Sequence, residues 1–223
     1  MNSVLNAENI TLLLQGAALS LGIALAALVI GLLLATITAA ARVSNNKILK
    51  TIFTIYVEII RGTPMLLQIY LLFMGLPYLY QTISGNYLAV SPLIMGVIAV
   101  GINSGAYLSE IFRAAINSVD KGQWEAGQSL GLSYNKILKK IILPQAFTKI
   151  IPPLVNEFIV LIKDSSLLSV IGVVDLMKSS NIITSNTYDL FTPLIGAAVL
   201  YLCMTCTISF FANKLERKLK ASD

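Results

Sequence analysis

Long apolar runs alternate with short polar segments along the chain. Five runs are long enough to cross a bilayer as helices, since a span needs about 20 mostly apolar residues. The predicted spans are Leu14–Ala41, Thr51–Leu76, Ser91–Ala114, Phe147–Ile162 and Thr192–Ala212. We therefore expect an all-α membrane protein with about five transmembrane helices, built as one domain over residues 1–223.

Basic residues occupy alternate connections between these runs, which indicates the orientation. They follow the first, third and last runs, whereas residues 77–90 carry no charge and residues 175–189 carry two Asp and one Lys. The basic residues are Arg42, Lys47 and Lys50, then Lys121, Lys136, Lys139 and Lys140, and finally Lys214, Arg217, Lys218 and Lys220. By the positive-inside rule, the N-terminus faces outward and the C-terminus faces the cytoplasm.

Composition agrees with residence in a membrane and excludes several classes of function. Hydrophobic residues make up 56% of the chain and charged residues 12%, which is roughly half the charge of a typical soluble domain. The sequence has no His, so zinc sites built on His and Ser-His-Asp triads are excluded. The net charge of +5 follows from the orientation signal, and we expect no nucleic-acid partner. Cys203 and Cys206 fit small lipid- or helix-facing residues better than metal ligands.

The connection between the third and fourth runs, residues 115–146, is predicted to hold two short cytoplasmic helices. Asp120 can cap the first helix, and Gln123 is placed to return the capping bond. Gly131 suits the left-handed residue that ends this helix.

The second helix of this connection is amphipathic. Ser133 can cap it, and Pro144 is expected to end or bend it. Its apolar face comprises Ile137, Leu138, Ile141 and Ile142, opposite Lys136, Lys139 and Lys140.

The first of these helices carries Trp124 and Glu125. A short capped helix, fixed at the base of a membrane bundle, suits docking into a groove of another protein. The alternative is an amphipathic helix that lies on the membrane surface and only closes the bundle. The residue pattern alone leaves both interpretations open.

A resemblance to a known family favours docking. The pair Glu125-Ala126, followed by Gly131 and by Ile141-x-Leu143-Pro144, resembles the EAA motif of ATP-binding-cassette (ABC) importer permeases, whose motif helix sits in a cleft of the ATPase subunit. Gly127 stands where the motif usually has a second alanine, a change between small residues that is compatible with docking. The resemblance implies an ATPase-coupling surface formed by Asp120, Gln123, Trp124, Glu125, Ala126 and Gly131.

A second stretch, Tyr56–Pro64 (YVEIIRGTP), resembles the permeases for polar amino acids such as histidine, glutamine, glutamate, arginine, cystine and opines. The similarity covers roughly Gly16 to Arg217. It implies the type I importer fold in the bacterial cytoplasmic membrane. It also implies two permease subunits, identical or related, two ATPase subunits, and an extracellular solute-binding protein that delivers a polar amino acid.

The chain carries no G-x-x-x-x-G-K-[ST] sequence and therefore no phosphate-binding loop of the kind that hydrolyses ATP. We expect no catalytic residue, no metal and no cofactor on this chain, with ATP used by the partner ATPase.

Polar residues inside the apolar runs are candidates for a substrate pathway, because both charges of an amino acid need fixed partners in a low-dielectric site. In the fourth run Asn156 and Lys163 are seven residues apart and share a helix face. Glu157 and Asp164 repeat this spacing one position later. Pro152 and Pro153 can free backbone carbonyls there, which is tolerated where a helix lines a cavity. The predicted pathway residues are Asn103, Glu157, Lys163, Asp164 and Ser165. The resemblance to permeases points to the Asn and to the Lys163-Asp164-Ser165 positions.

Each of these assignments has an alternative. Lys163 and Asp164 could instead be solvated charges at the outer membrane surface, and Glu157 could be a packing residue bonded across helices. We also predict two ion pairs three residues apart on helices, Glu58 with Arg61 and Glu110 with Arg113. The members of each pair either neutralise one another near the membrane boundary or take part directly in gating or substrate passage.

Two other functions share some of these features. An ion-coupled secondary transporter would be similarly apolar, but the EAA segment and the lack of inverted repeats argue against it. A membrane enzyme with a Ser-Lys pair would need Lys163 and Ser165 to face each other, and residues two apart on a helix do not.

Overall fold

The computed structural model describes residue 4 and residues 6–44 and 46–220, with residues 216 and 218–220 as backbone only. Within these ranges the regular structure is entirely helical. The α-helices are α1 (Ala7–Arg42), α2 (Lys47–Gly62), α3 (Met65–Tyr70), α4 (Leu76–Ser84), α5 (Pro92–Asn117), α6 (Lys121–Ser129), α7 (Tyr134–Ile137), α8 (Leu143–Asp164), α9 (Leu176–Thr187) and α10 (Phe191–Lys220). The ends of the domain predicted over 1–223, and the side chains of Lys218 and Lys220, lie outside the described residues.

Three shorter segments join some of these helices. Leu71–Gly75 and Leu138–Ile142 are π-helical turns, and Ser165–Ile171 is a 3-10 helix. The first π turn fuses α3 and α4 into one helical run, Met65–Ser84.

In the described part of the chain, four helical runs are long and apolar enough to cross a membrane. They are Ala7–Arg42, Met65–Ser84, Pro92–Asn117 and Phe191–Leu215. The predicted fourth span, Phe147–Ile162, lies inside α8. This helix has 22 residues, about 33 Å at 1.5 Å per residue, and it carries four charged side chains, Lys149, Glu157, Lys163 and Asp164.

The predicted second span, Thr51–Leu76, is wrong as a single helix. Helix α2 ends at Gly62, Thr63 is extended (φ −123°, ψ 149°), and α3 begins after Pro64. Proline lacks an N–H, and it pushes the preceding residue out of helical geometry. The membrane-length run therefore starts after the proline and continues to Ser84, through residues that were predicted to be a loop.

The core forms where α1 packs against α5, and small residues permit the close approach. A Cβ added at Gly31 would lie 2.8 Å from the Ser104 hydroxyl oxygen, and one at Gly101 would lie 2.7 Å from Cγ2 of Ile30. Neither position tolerates a larger side chain without movement. The sequence pattern of glycines and alanines in the first span is thus explained by helix packing.

Candidate functional site

Helix α6 has the boundaries that its sequence predicts. The carboxylate of Asp120 accepts a hydrogen bond from the Gly122 N–H at 2.6 Å, and Gly131 adopts a left-handed conformation with φ +70°. The predicted return bond from Gln123 is wrong, because its carboxamide oxygen instead accepts from Gln145 at 3.5 Å. Helix α6 is therefore capped by Asp120 and linked by Gln123 to the start of α8.

An apolar cluster seats α6 against the end of the helix bundle. Trp124 is half-buried and stacks on Tyr134, with ring centroids 5.1 Å apart and planes 24° apart. It packs against a cluster of Ala115, Val119, Ile137, Ile142 and Ala146. Trp124, which we expected to belong to the ATPase-coupling surface, thus uses one ring face to hold α6 in place. Glu125 and Ala126 are exposed.

Gly127 permits this seating. It is buried, and a Cβ at this position would lie 2.8 Å from Cγ1 of Ile137. The departure from the EAA pattern at Gly127 therefore coincides with close contact between α6 and α7.

The second helix of this connection is amphipathic as predicted. Ile137 and Ile142 are buried, Leu138 and Ile141 pack against the same cluster, and Lys136, Lys139 and Lys140 are exposed. Ser133 occupies the cap position, where its side chain makes no capping bond.

We expected Pro144 to end or bend this second helix. The helix does not end there. Helix α7 continues through the π turn into α8, and Pro144 lies in the first turn of α8. Proline lacks an N–H, so the helical hydrogen-bond pattern must change at this junction, and the π turn Leu138–Ile142 lies directly before it.

Asn103 lies buried in α5 and bonds to a residue that sequence reasoning missed. Its Nδ2 donates to Oε1 of Gln68 at 2.9 Å. Gln68 is the only amide in the apolar run from Met65 to Leu76, and that isolation is the sequence signal that could have identified it.

Glu157 is placed beside α5. It is half-buried in α8 and accepts a hydrogen bond from the Ser104 hydroxyl at 3.0 Å, the bond across helices that the alternative interpretation expected. Polar groups from α3, α5 and α8 therefore meet on successive residues of α5.

The remaining predicted pathway residues lie at the end of α8. Lys163 is exposed, Asp164 is half-buried, and the buried hydroxyl of Ser165 donates to the Ile162 carbonyl at 2.8 Å. Of the five predicted pathway residues, only Asn103 and Glu157 are joined to the polar groups of α5 and α3.

A separate charge cluster surrounds Glu110. Its carboxylate accepts from Arg42 and from Arg113, the latter at 2.6 and 2.9 Å, and it lies 3.9 Å from Arg61. Arg61 also lies over the Tyr107 ring, 5.4 Å from its centroid. The predicted Glu110–Arg113 pair is confirmed.

The predicted Glu58–Arg61 pair is wrong. Glu58 is exposed, and no Lys or Arg of the described residues lies within 4.0 Å of its carboxylate. Arg61 instead turns toward α5, where Glu110 and Tyr107 are both in reach.

A second buried carboxylate, Asp175, has a structural explanation. It caps α9 by accepting from the Lys178 N–H at 2.9 Å and the Met177 N–H at 3.3 Å. Burial raises the pKa of the Asp175 carboxyl, and these backbone bonds act in the opposite direction.

Metal ligands are not concentrated anywhere in the described residues. No group of three or more His, Cys, Asp or Glu side chains there could hold an ion. Cys203 and Cys206 are both exposed on α10.

Comparison with known proteins gives a match over most of the chain. Residues 27–221 match the family model described as "Binding-protein-dependent transport system inner membrane component". The chain is 38% identical to a putative glutamine transport system permease protein of Rickettsia typhi, over 94% of both chains. It is also 38% identical to an arginine transport system permease protein of Bacillus subtilis, over 96% of this chain and 95% of that protein.

A solved structure shows the same fold. A chain in the crystal structure of an amino acid ABC transporter with histidines superposes with a TM-score of 0.87 at 39% identity, covering 93% of this chain and 94% of that one. This chain belongs to the family of inner membrane components of binding-protein-dependent transport systems, the transmembrane permease subunits of ABC importers.

Proposed function

We propose that this chain is the permease subunit of an importer for polar amino acids in the bacterial cytoplasmic membrane. An extracellular solute-binding protein delivers the substrate, and a dimer of separate ATPase subunits uses ATP to drive transport. The substrate class is supported by the glutamine and arginine permeases to which the chain is similar over nearly its whole length.

The observation that carries the proposal is the seating of α6. The helix is capped, packed against the end of α5 and α8 through Trp124, and presents Glu125 and Ala126 to the exterior. A rigid helix with an exposed face can transmit the movement of a docked partner into a membrane bundle. We assign that face to the ATPase subunit, with Asp120 and Gly131 setting its ends and Gln123 tying it to α8.

The orientation follows from the charges. The N-terminus is placed outside, and α6 and the C-terminus are placed in the cytoplasm, because basic residues concentrate on that side. Two permease subunits are expected to enclose the passage between them.

We place the passage along the polar groups of α5 and α8. Asn103 and Glu157 offer an amide and a carboxylate for the two charges of an amino acid, and Lys163, Asp164 and Ser165 continue along the end of α8. Lys163 is exposed in the single chain and is therefore free to face a second permease or the entering substrate.

Reconstitution tests the proposal directly. The permease would be placed in liposomes with its ATPase and binding protein, and uptake of radiolabelled glutamine, arginine and cystine would be measured with ATP enclosed. We expect uptake of at least one of the three that requires ATP, the ATPase and the binding protein together.

The control is a set of liposomes that lack the ATPase and carry a proton or sodium gradient. Uptake driven by the gradient alone would replace the proposal with an ion-coupled transporter. Peptide or lipid turnover by the purified chain would instead indicate a membrane enzyme.

A further inference from the structure

The break between α2 and α3 leaves backbone acceptors without their usual helical donors. In a continuous helix, the Ile60 carbonyl would accept from the N–H of residue 64, but residue 64 is proline and has none. Thr63 is extended, so its carbonyl also leaves the helical pattern. Unpaired carbonyls are costly in an apolar bundle, so another donor is needed.

The side chain of Gln68 supplies the missing donors. Its Nε2 lies 2.8 Å from the Ile60 carbonyl, 3.1 Å from the Thr63 carbonyl and 2.9 Å from the Thr63 hydroxyl. Gln68 is only 8% exposed. Because Nε2 is surrounded by acceptors, the carboxamide has one favourable direction, with Oε1 turned toward α5.

The direction of Gln68 fixes the direction of Asn103. Oε1 of Gln68 can only accept, so Asn103 must present its Nδ2, which lies 2.9 Å away. Oδ1 of Asn103 then points away from Gln68 and accepts no hydrogen bond from the described residues. That oxygen is free to accept from an ammonium group.

We propose that Gln68 is a positioning residue for transport, which orients Asn103 so that its Oδ1 faces the ammonium group of a passing amino acid. This inference rests on the proposed function and adds to it a residue that does not itself contact the substrate. The same carboxamide connects the break between α2 and α3 to α5. A movement of the chain at this break therefore changes the direction in which the Asn103 side chain points.

A double-mutant cycle tests the inference in the reconstituted complex of permease, ATPase and binding protein. Uptake of radiolabelled glutamine, arginine and cystine would be measured per assembled complex for wild type, Gln68→Leu, Asn103→Ala and the double variant. We expect each single variant to lose about tenfold in uptake, the scale of one lost hydrogen bond. The double variant should lose no more than Asn103→Ala, because Gln68 acts through Asn103.

Two further variants separate orientation from repair of the helix break. Gln68→Glu keeps an oxygen for Asn103 but loses the amide donors, and it should retain more uptake than Gln68→Leu. Gln81→Leu makes the matched substitution at an exposed position of α4 and should transport as wild type does.

The outcomes are distinct. Multiplied losses in the double variant, or lower uptake in Gln68→Glu than in Gln68→Leu, would show that Gln68 only stabilises the break, and the inference would be rejected. Wild type that imports none of the three amino acids would reject the proposed function, and this inference with it.

Discussion

The connection that contains α6 and the polar interior around Asn103 are organised in opposite ways. In the first, the signals that set the two ends of α6 act within a few residues: Asp120 caps its own helix, and Gly131 ends it. In the interior, the bonds join residues far apart in sequence, such as Asn103 with Gln68 and Ser104 with Glu157. The proposed docking surface is thus encoded locally, whereas the polar groups of the proposed pathway come together only after the helices have packed.

The charge cluster around Glu110 also joins residues that are far apart in sequence. Its disruption is expected to have the largest effect on stability. Among the described residues, Glu110 is the one carboxylate that faces three arginines, from α1, α2 and α5, and its side chain is 16% exposed. Removing it leaves cations at a partly buried site without a partner, which costs about 3 kcal/mol. Glu110→Gln should therefore lower the free energy of unfolding by that amount, measured by SDS titration of the purified protein in detergent micelles.

Glu58→Gln is the matched control for that experiment. The same substitution removes a carboxylate that is exposed and has no ionic partner within the described residues, so the unfolding curve should stay within about 0.5 kcal/mol of wild type. Equal stability of Glu110→Gln and wild type would show that the arginine cluster does not hold the helices together.

The next effect concerns the exposed face of α6. Glu125→Lys should weaken binding to the ATPase by about 2 kcal/mol, because a reversed charge at a docking surface repels its partner. The measurement is co-purification of the ATPase at graded concentrations. Glu8→Lys, the same substitution at the other end of the molecule, is the control.

Trp124→Ala tests the face of α6 that packs inside the chain, whereas Glu125→Lys tests its exposed face. Because Trp124 stacks on Tyr134 inside the chain, its loss should lower the stability of the permease as well as the binding of the ATPase. Glu125→Lys should change binding alone. Full ATPase binding and coupled uptake in both variants would remove the basis for placing the ATPase on α6.

The same contrast explains how much the sequence could predict. The Asp120 cap and the Gly131 end of α6, the apolar face around Ile137 and the Glu110–Arg113 pair depend on spacing along one helix and were predicted correctly. The same kind of spacing was wrong for the return bond from Gln123 and for the Glu58–Arg61 pair, because Gln123 and Arg61 contact residues of other helices instead. The partners of Asn103 and Arg61 were missed, because helix spacing says nothing about which helices become neighbours. Pro64 in the sequence was enough to predict that the second span is divided into two helices. The prediction followed the continuous hydropathy of the run instead.

The close contact at Gly127 is a smaller test of the local region. Gly127→Ala gains helix propensity but forces a Cβ to within 2.8 Å of Ile137, and overpacking of this kind costs 1–3 kcal/mol, so we expect a net loss of about 1 kcal/mol in stability. Gly62→Ala is the control, since a Cβ there meets nothing within 4 Å, and it should not destabilise. Greater stability of Gly127→Ala would show that Ile137 moves aside freely.

The smallest effect is expected at Asp189, another local cap, which precedes α10. Its carboxylate accepts from the Thr192 hydroxyl at 2.6 Å, the Thr192 N–H at 3.1 Å and the Phe191 N–H at 3.0 Å. These bonds, the one from the hydroxyl first, lower the pKa of the Asp189 carboxyl below its ordinary value. The carboxylate therefore stabilises the folded state above about pH 3.9, the ordinary pKa of Asp, and this contribution disappears as the pH falls through the lower folded value. Asp189→Asn retains an acceptor but no charge, so it should melt slightly below wild type at pH 7, and the gap should close under acid conditions. A melting-temperature difference between the two proteins that stays constant from pH 7 to about pH 3 would show that the charge of Asp189 adds nothing to the cap.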